Sequence, residues 1–338
     1  MNACLINRRS VLTLFCTCGI FCIVSYEYFQ TRHKIILQTY PANKVNEQGA
    51  ISNVRGTKDF LNHGESVNDK NILDGCYHVY LDVGSNIGVQ IRKLYEPEKY
   101  PDAQVHSIFN SYFGTIENRR DEHLKNGRTV CAVGFEPNSH HTKYLKDVES
   151  SYNKCGWRIK LLTETAASDH NGTTRFYTDE AYANMEWGGG ILPPDVNNIA
   201  IDNVVDKTKR KFKDVRLVRL STFLKDVVGK RKLPTIPLET HPPKVLMKMD
   251  IEGSEVDVMP DLIFTGGLQY INAVMVEWHE RLEKLPHRKK AQQQLQTIVK
   301  LLSDYSQNMK DVGGKFDFNL VNLDDETYFT TRFDLPKC

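Results

Sequence analysis

The chain has 338 residues, 40% of them apolar and 25% charged, so it can bury a full core and gives no compositional case for disorder. Its 44 basic and 42 acidic residues are spread along the sequence for a net charge of +2, and nothing selects a polyanion such as nucleic acid as a partner.

At the N-terminus, Arg8 and Arg9 precede an apolar run over residues 11–24, which Tyr26, Tyr28 and Phe29 extend towards Arg32, His33 and Lys34. A helix over residues 11–29 would just cross a bilayer. No small-x-small cleavage site follows it and aromatic residues suit the interface, so a retained single-pass signal anchor is expected, with a cleaved signal peptide as the rival. Basic residues flank both ends and lean towards a type II orientation, with the rest of the chain in the secretory-pathway lumen. Residues 1–10 are then a tail, residues 30–75 a stem or linker rich in Asn, Gly, Lys and Glu, and residues 76–338 one folded domain.

Of the 8 cysteines, Cys4, Cys16, Cys18 and Cys22 lie in or near the apolar segment. Cys76, Cys131, Cys155 and Cys338 belong to the domain. Their spacing matches no zinc pattern; they could pair in three ways in an oxidising lumen or stay reduced. Asn171-Gly172-Thr173 is a glycosylation sequon that a lumenal protein could use.

In the domain, residues 77–83 have the β-branched and aromatic content of a buried strand. They break into Gly84-Ser85-Asn86-Ile87-Gly88 before a helical stretch over residues 89–95. Strand, glycine turn and helix leave backbone amides facing a ligand, here spaced G-x-x-x-G after Asp82 rather than as a dinucleotide-binding fingerprint. A second strand, residues 129–135, ends at Glu136, where a doubly wound fold places the acceptor for a ribose diol. The separation of Asp82 from Glu136 far exceeds the roughly 20 residues of a compact unit, so residues 97–127 contain an insertion.

A third strand over residues 157–165 leads to Asp169, which could contact an adenine or serve only as a turn former, and then to a short strand over residues 173–178. Residues 244–249 form the next strand, delivering Asp250, Glu252 and Glu255; residues 273–276 form the last, delivering Glu277, His279 and Glu280. The carboxyl ends of parallel strands line the ligand crevice, so these groups are expected to converge near the glycine turn. Between the third of these main strands and the fourth, Met185-Glu186-Trp187-Gly188-Gly189-Gly190 suits a lid or an ordinary flexible loop.

Four segments in this order, Leu81-Asp82-Val83-Gly84-Ser85-Asn86-Ile87-Gly88, Gly134-Phe135-Glu136-Pro137-Asn138, Lys248-Met249-Asp250-Ile251-Glu252-Gly253-Ser254-Glu255 and Val276-Glu277-Trp278-His279, resemble the motifs of the FkbM methyltransferases. The resemblance covers roughly residues 77–280, and the D-x-E-G-x-E element is its most specific part. It implies an α/β, class I methyltransferase (Rossmann-like) fold with a mostly parallel sheet, S-adenosylmethionine as cofactor, and O-methylation of a small-molecule or glycan acceptor. By position Asp82, Gly84, Asn86 and Gly88 would hold the methionine end of the cofactor and Glu136 its ribose, while Asp250 and Glu252 form the floor where cofactor and acceptor meet.

For the proton of an acceptor hydroxyl, His279 is the first candidate base and Asp250 the second, with a structural hydrogen bond as the other role for His279. That reading calls for no metal. Replacing Glu136 by Ala should then weaken cofactor binding without altering the stability of the empty protein. Two other classes share these features: a membrane-anchored glycosyltransferase with a metal on Asp250 and Glu252, and a catalytically silent binding module.

Overall fold

The computed structural model describes residues 71–121, 129–178, 189–192, 211–235, 242–280, 283–310, 313–323, 325, 327 and 334–338. In chain order the elements are β1 (His78–Val83), α1 (Val89–Tyr95), α2 (Val105–Phe113), β2 (Val130–Glu136), α3 (Thr142–Lys154), β3 (Arg158–Thr163), β4 (Thr165–Ser168), β5 (Gly172–Thr178), β6 (Lys211–Arg219), α4 (Leu220–Phe223), β7 (Val245–Met249), α5 (Glu255–Phe264), β8 (Ala273–Val276), α6 (Pro286–Lys310) and β9 (Asn319–Leu320). Six strands form one sheet in the order β3-β2-β1-β7-β8-β9, and every neighbouring pair in it is parallel. β1, β2 and β7 are buried at every residue, as sequences read as near-continuous apolar runs require when helices cover both faces.

From β1 the chain steps outward to β2 and β3, then returns past β1 to β7 and continues to β8 and β9. Right-handed crossovers taken in opposite directions from β1 put helices on both faces of the sheet. They also make the loops leaving β1 and β7 diverge, which opens a crevice at the carboxyl edge between them. The expected α/β, mostly parallel sheet is therefore present.

The expected third strand over residues 157–165 is present as β3, and the residues that follow it form a further strand, β4, in a second sheet. Glu164 adopts a left-handed backbone (φ 54°), which turns the chain out of the main sheet after β3. β4 then joins a second sheet, ordered β4-β6-β5, by pairing parallel with β6. β6 was not expected. Val215 and Leu217 are buried on either side of Arg216, but Lys211, Lys213 and Arg219 fall at the same alternate positions, so charge breaks the period of two.

The insertion after residue 97 contains α2, whose Phe109 and Phe113 pack on β1 through Tyr80 and His78 at centroid distances of 5.1 and 5.5 Å. It covers the sheet, and none of its described residues reaches the crevice.

Of the three pairings open to the domain cysteines, the structure has Cys76 with Cys131 and Cys155 with Cys338. The first ties the start of β1 to β2, and the second ties the C-terminal residue to the end of α3. The domain also begins earlier than residue 76. Leu73 is buried, and Asn71 Nδ2 donates to the Val227 carbonyl at 2.8 Å, so residues 71–75, expected in the linker, pack with the domain. The expected anchor over residues 11–29 lies outside the described residues. Among those described, no helix is long and apolar enough to cross a membrane.

Candidate functional site

The glycine turn after β1 is clamped by both neighbouring strands. Gly84 N and Ser85 N donate to the Phe135 carbonyl of β2 at 3.1 and 3.0 Å, and Asp250 N, just past β7, donates to the Val83 carbonyl at 2.9 Å. Gly84 has φ 93°, and a Cβ there would lie 1.8 Å from the Asp250 carbonyl oxygen. A side chain at Gly84 thus collides with the adjacent loop whether or not a ligand is present.

Glu136, at the end of β2, completes the clamp. Its Oε2 accepts from Asn86 N at 2.6 Å and its Oε1 from Asn138 N at 2.7 Å. Burial pushes the carboxyl up to about 8, and the two amides, each best met by an acceptor-only oxygen, oppose that rise. Glu136→Ala cannot leave stability untouched as expected, because two backbone N–H groups would lose their acceptor.

These residues border an open cleft at the carboxyl edge of the sheet. Phe135, Ala166, Ala167 and Phe176 give it apolar walls, and Gly84, Asn86, Glu136, Asp250, Glu252 and Ser254 supply its polar ones. Part of the expected lid is a fixed wall. Tyr177 N donates to the Gly190 carbonyl and Gly190 N returns a bond to Tyr177, at 2.9 and 3.1 Å. A Cβ on Gly189 would lie 2.5 Å from the Phe176 ring, so glycine is what lets this segment lie flat on the aromatic face. Residues 185–188 lie outside the described residues.

The floor is charged. Asp250 and Glu252 follow β7, and Glu252 is held in a left-handed conformation (φ 55°). Lys248 Nζ lies 2.8 Å from Asp250 Oδ2. Beneath them His279, 1% exposed, has Nδ1 3.1 Å from Glu255 Oε1. Its Nε2 is 3.6 Å from Asp250 Oδ1, 3.6 Å from Glu252 Oε2 and 3.3 Å from Glu277 Oε1. Burial alone would lower the imidazole, but the carboxylates, Glu255 foremost, push it up to about 12. Burial raises Glu252 to about 8 against the pull of His279. It acts on Asp250 too, but Lys248 and His279 together hold that carboxyl below the usual range.

The sequence-derived candidates therefore divide. Gly84, Asn86, Glu136, Asp250 and Glu252 line one cleft. Asp82 does not line it: it is buried in β1, its carboxylate oxygens have no hydrogen-bond partner among the described residues, and burial pushes it to about 7 with Lys248 opposing. Gly88 starts α1 behind the turn. Asp169 lies off the cleft with His170 Nδ1 at 2.6 Å, because β4 leaves the main sheet and presents Ala166 and Ala167 instead. His279 sits beneath the floor, with Glu255 on one ring nitrogen and Asp250, Glu252 and Glu277 around the other.

Two residues that shape the site were not singled out in the sequence. Lys248 is buried inside β7. Glu255, fully buried, accepts from Ile251 N at 2.8 Å and Gly253 N at 2.9 Å while holding His279. A carboxylate in the first turn of a helix, preceded by a glycine loop, was the available signal for Glu255. No family model, curated protein or solved structure matches the chain.

Proposed function

We propose that the domain is a class I, S-adenosylmethionine-dependent methyltransferase that modifies a hydroxyl of a small-molecule or glycan acceptor. Glu136 is the observation that carries the reading. Its carboxylate stands at the carboxyl end of the strand beside the glycine turn, on the wall of the cleft where the strand order reverses. The donor set fits the cofactor. Asn86 lines the same cleft, and its Oδ1 is shielded from water and without a partner among the described residues, which suits an acceptor for an ammonium group. Gly84 and Asn86 would hold the amino-acid end and Glu136 the ribose, with Asp250 and Glu252 beneath the reacting centre.

When bound, the cofactor supplies an already activated methyl group. What is left to the chain is alignment and exclusion of water, for which Phe135, Phe176 and the wall at Gly189 and Gly190 are placed. Asp250 and Glu252 border the cleft where the acceptor hydroxyl must lie, and His279 fixes their positions from below.

The two disulfides and the exposed Asn171 favour a lumenal domain, anchored through residues 11–29 as a single-pass type II membrane protein. The functional test is Glu136→Gln, which keeps the volume of the side chain and removes its charge. S-adenosylmethionine affinity should fall roughly 10- to 150-fold, the equivalent of about 1.5–3 kcal/mol for a lost charged acceptor. Equal affinity in both proteins removes the ribose assignment.

A further inference from the structure

We infer that the floor of the cleft binds one divalent metal ion through Asp250, Glu252 and His279. One nitrogen atom, His279 Nε2, is approached by carboxylate oxygens from the loop after β7, Asp250 and Glu252, and from the end of β8, Glu277, at 3.3–3.6 Å. A single N–H can serve one of them well. A divalent cation that displaces the Nε2 proton serves all.

The imidazole is oriented for this task. Its other nitrogen is taken by Glu255, which is itself fixed by the amides of Ile251 and Gly253; this carboxylate–histidine pairing is how proteins commonly aim a metal-ligating ring. One donor atom each from Asp250, Glu252 and His279 lies within 4.8 Å of the others. Around a divalent ion with bonds of about 2.1 Å, donors on one side stand about 3.0–3.4 Å apart, so closing the widest pair takes a movement of at most about 1.8 Å. Lys248 occupies Asp250 Oδ2 and leaves Oδ1 to the ion.

A separate observation marks the same place as a ligand site. Ser254 is 2% exposed and lines the cleft, and its hydroxyl has no partner among the described residues. It stands at the start of α5, where a serine ordinarily caps the helix, yet it makes no cap bond. Its oxygen is available to a water or an acceptor oxygen held by the ion.

Two carboxylates with one imidazole suit Mn²⁺, Fe²⁺ or Zn²⁺ better than Ca²⁺. His279 lies below and Asp250 and Glu252 border the cleft, so the open coordination positions face the bound acceptor.

The test is a titration of the full-length chain with Mn²⁺ alone, following loss of the free-ion paramagnetic resonance signal. It requires no S-adenosylmethionine and so stands apart from the methyltransferase reading. The expected result is one tightly held ion per chain, a nitrogen coupling that His279→Ala abolishes, and affinity at least about tenfold weaker in Glu252→Gln. Mn²⁺ should also raise the unfolding temperature of the wild type and not that of Glu252→Gln, whose metal-free transition shows that it is folded. Failure of the wild type to retain Mn²⁺, or unchanged affinity in Glu252→Gln, overturns the site.

Discussion

On the β1–β2 side of the cleft one carboxylate, Glu136, meets two backbone N–H groups; on the β7–β8 side four carboxylates crowd around one lysine and one imidazole. The first wall balances its charge with the backbone, so its chemistry and its shape are one thing, and altering either alters the fold. The second carries more negative charge than Lys248 can neutralise. It must bind a proton or a cation, and that gives it a chemical state that can change without the fold changing.

The comparison breaks most visibly at Gly84. Gly84→Ala forces a Cβ into the Asp250 carbonyl at a left-handed backbone position, and should cost about 4 kcal/mol or more or prevent folding altogether. Chemical denaturation checks it; a loss below about 1 kcal/mol would mean that the two loops are not pinched together. Glu136→Ala comes next. Orphaning the amides of Asn86 and Asn138 should cost about 2–4 kcal/mol of stability before any cofactor is added, and a transition unchanged from wild type would show that the clamp is not structural.

The third effect is one of pH and probes the boundary between the two walls, at Asp82. Its folded pKa of about 7 is raised above the ordinary value by burial, so its contribution to stability is present in acid and is lost as pH rises towards 7. Asp82 alone should account for a fall in stability of roughly 2–3 kcal/mol between pH 5 and pH 8, beside the fall contributed by the raised Glu136 and Glu252, and Asp82→Asn should remove that part of the slope. An identical slope in the two proteins removes Asp82 as its source. The smallest effect belongs to the charged wall. Ser254→Ala deletes a hydroxyl that bonds to nothing described, and the stability of the empty protein should stay within about 0.5 kcal/mol.

The first wall was legible in the sequence because backbone requirements leave a residue-level trace. A glycine where φ must be positive, an acid at a strand end and apolar runs for β1, β2 and β7 are each dictated locally. The second wall was legible as a list of acids but not as an arrangement. That Glu255 would turn back onto His279 depends on how two loops from separate strands meet. Asp169 was misplaced for a similar reason. Nothing in the sequence around Glu164 announces that the chain leaves one sheet for another, and the strand that receives it, β6, hides its alternation under five charged residues: Lys211, Lys213, Asp214, Arg216 and Arg219.

Direct ligand binding tests the central claim most closely. In calorimetric titrations of the full-length chain, S-adenosylmethionine and its demethylated product should each bind at one site with micromolar affinity, and a sugar nucleotide in the presence of Mn²⁺ should give no heat. Absence of binding by both methionine derivatives, with saturable binding of the sugar nucleotide, would contradict the methyltransferase reading and hand the cleft to glycosyl transfer.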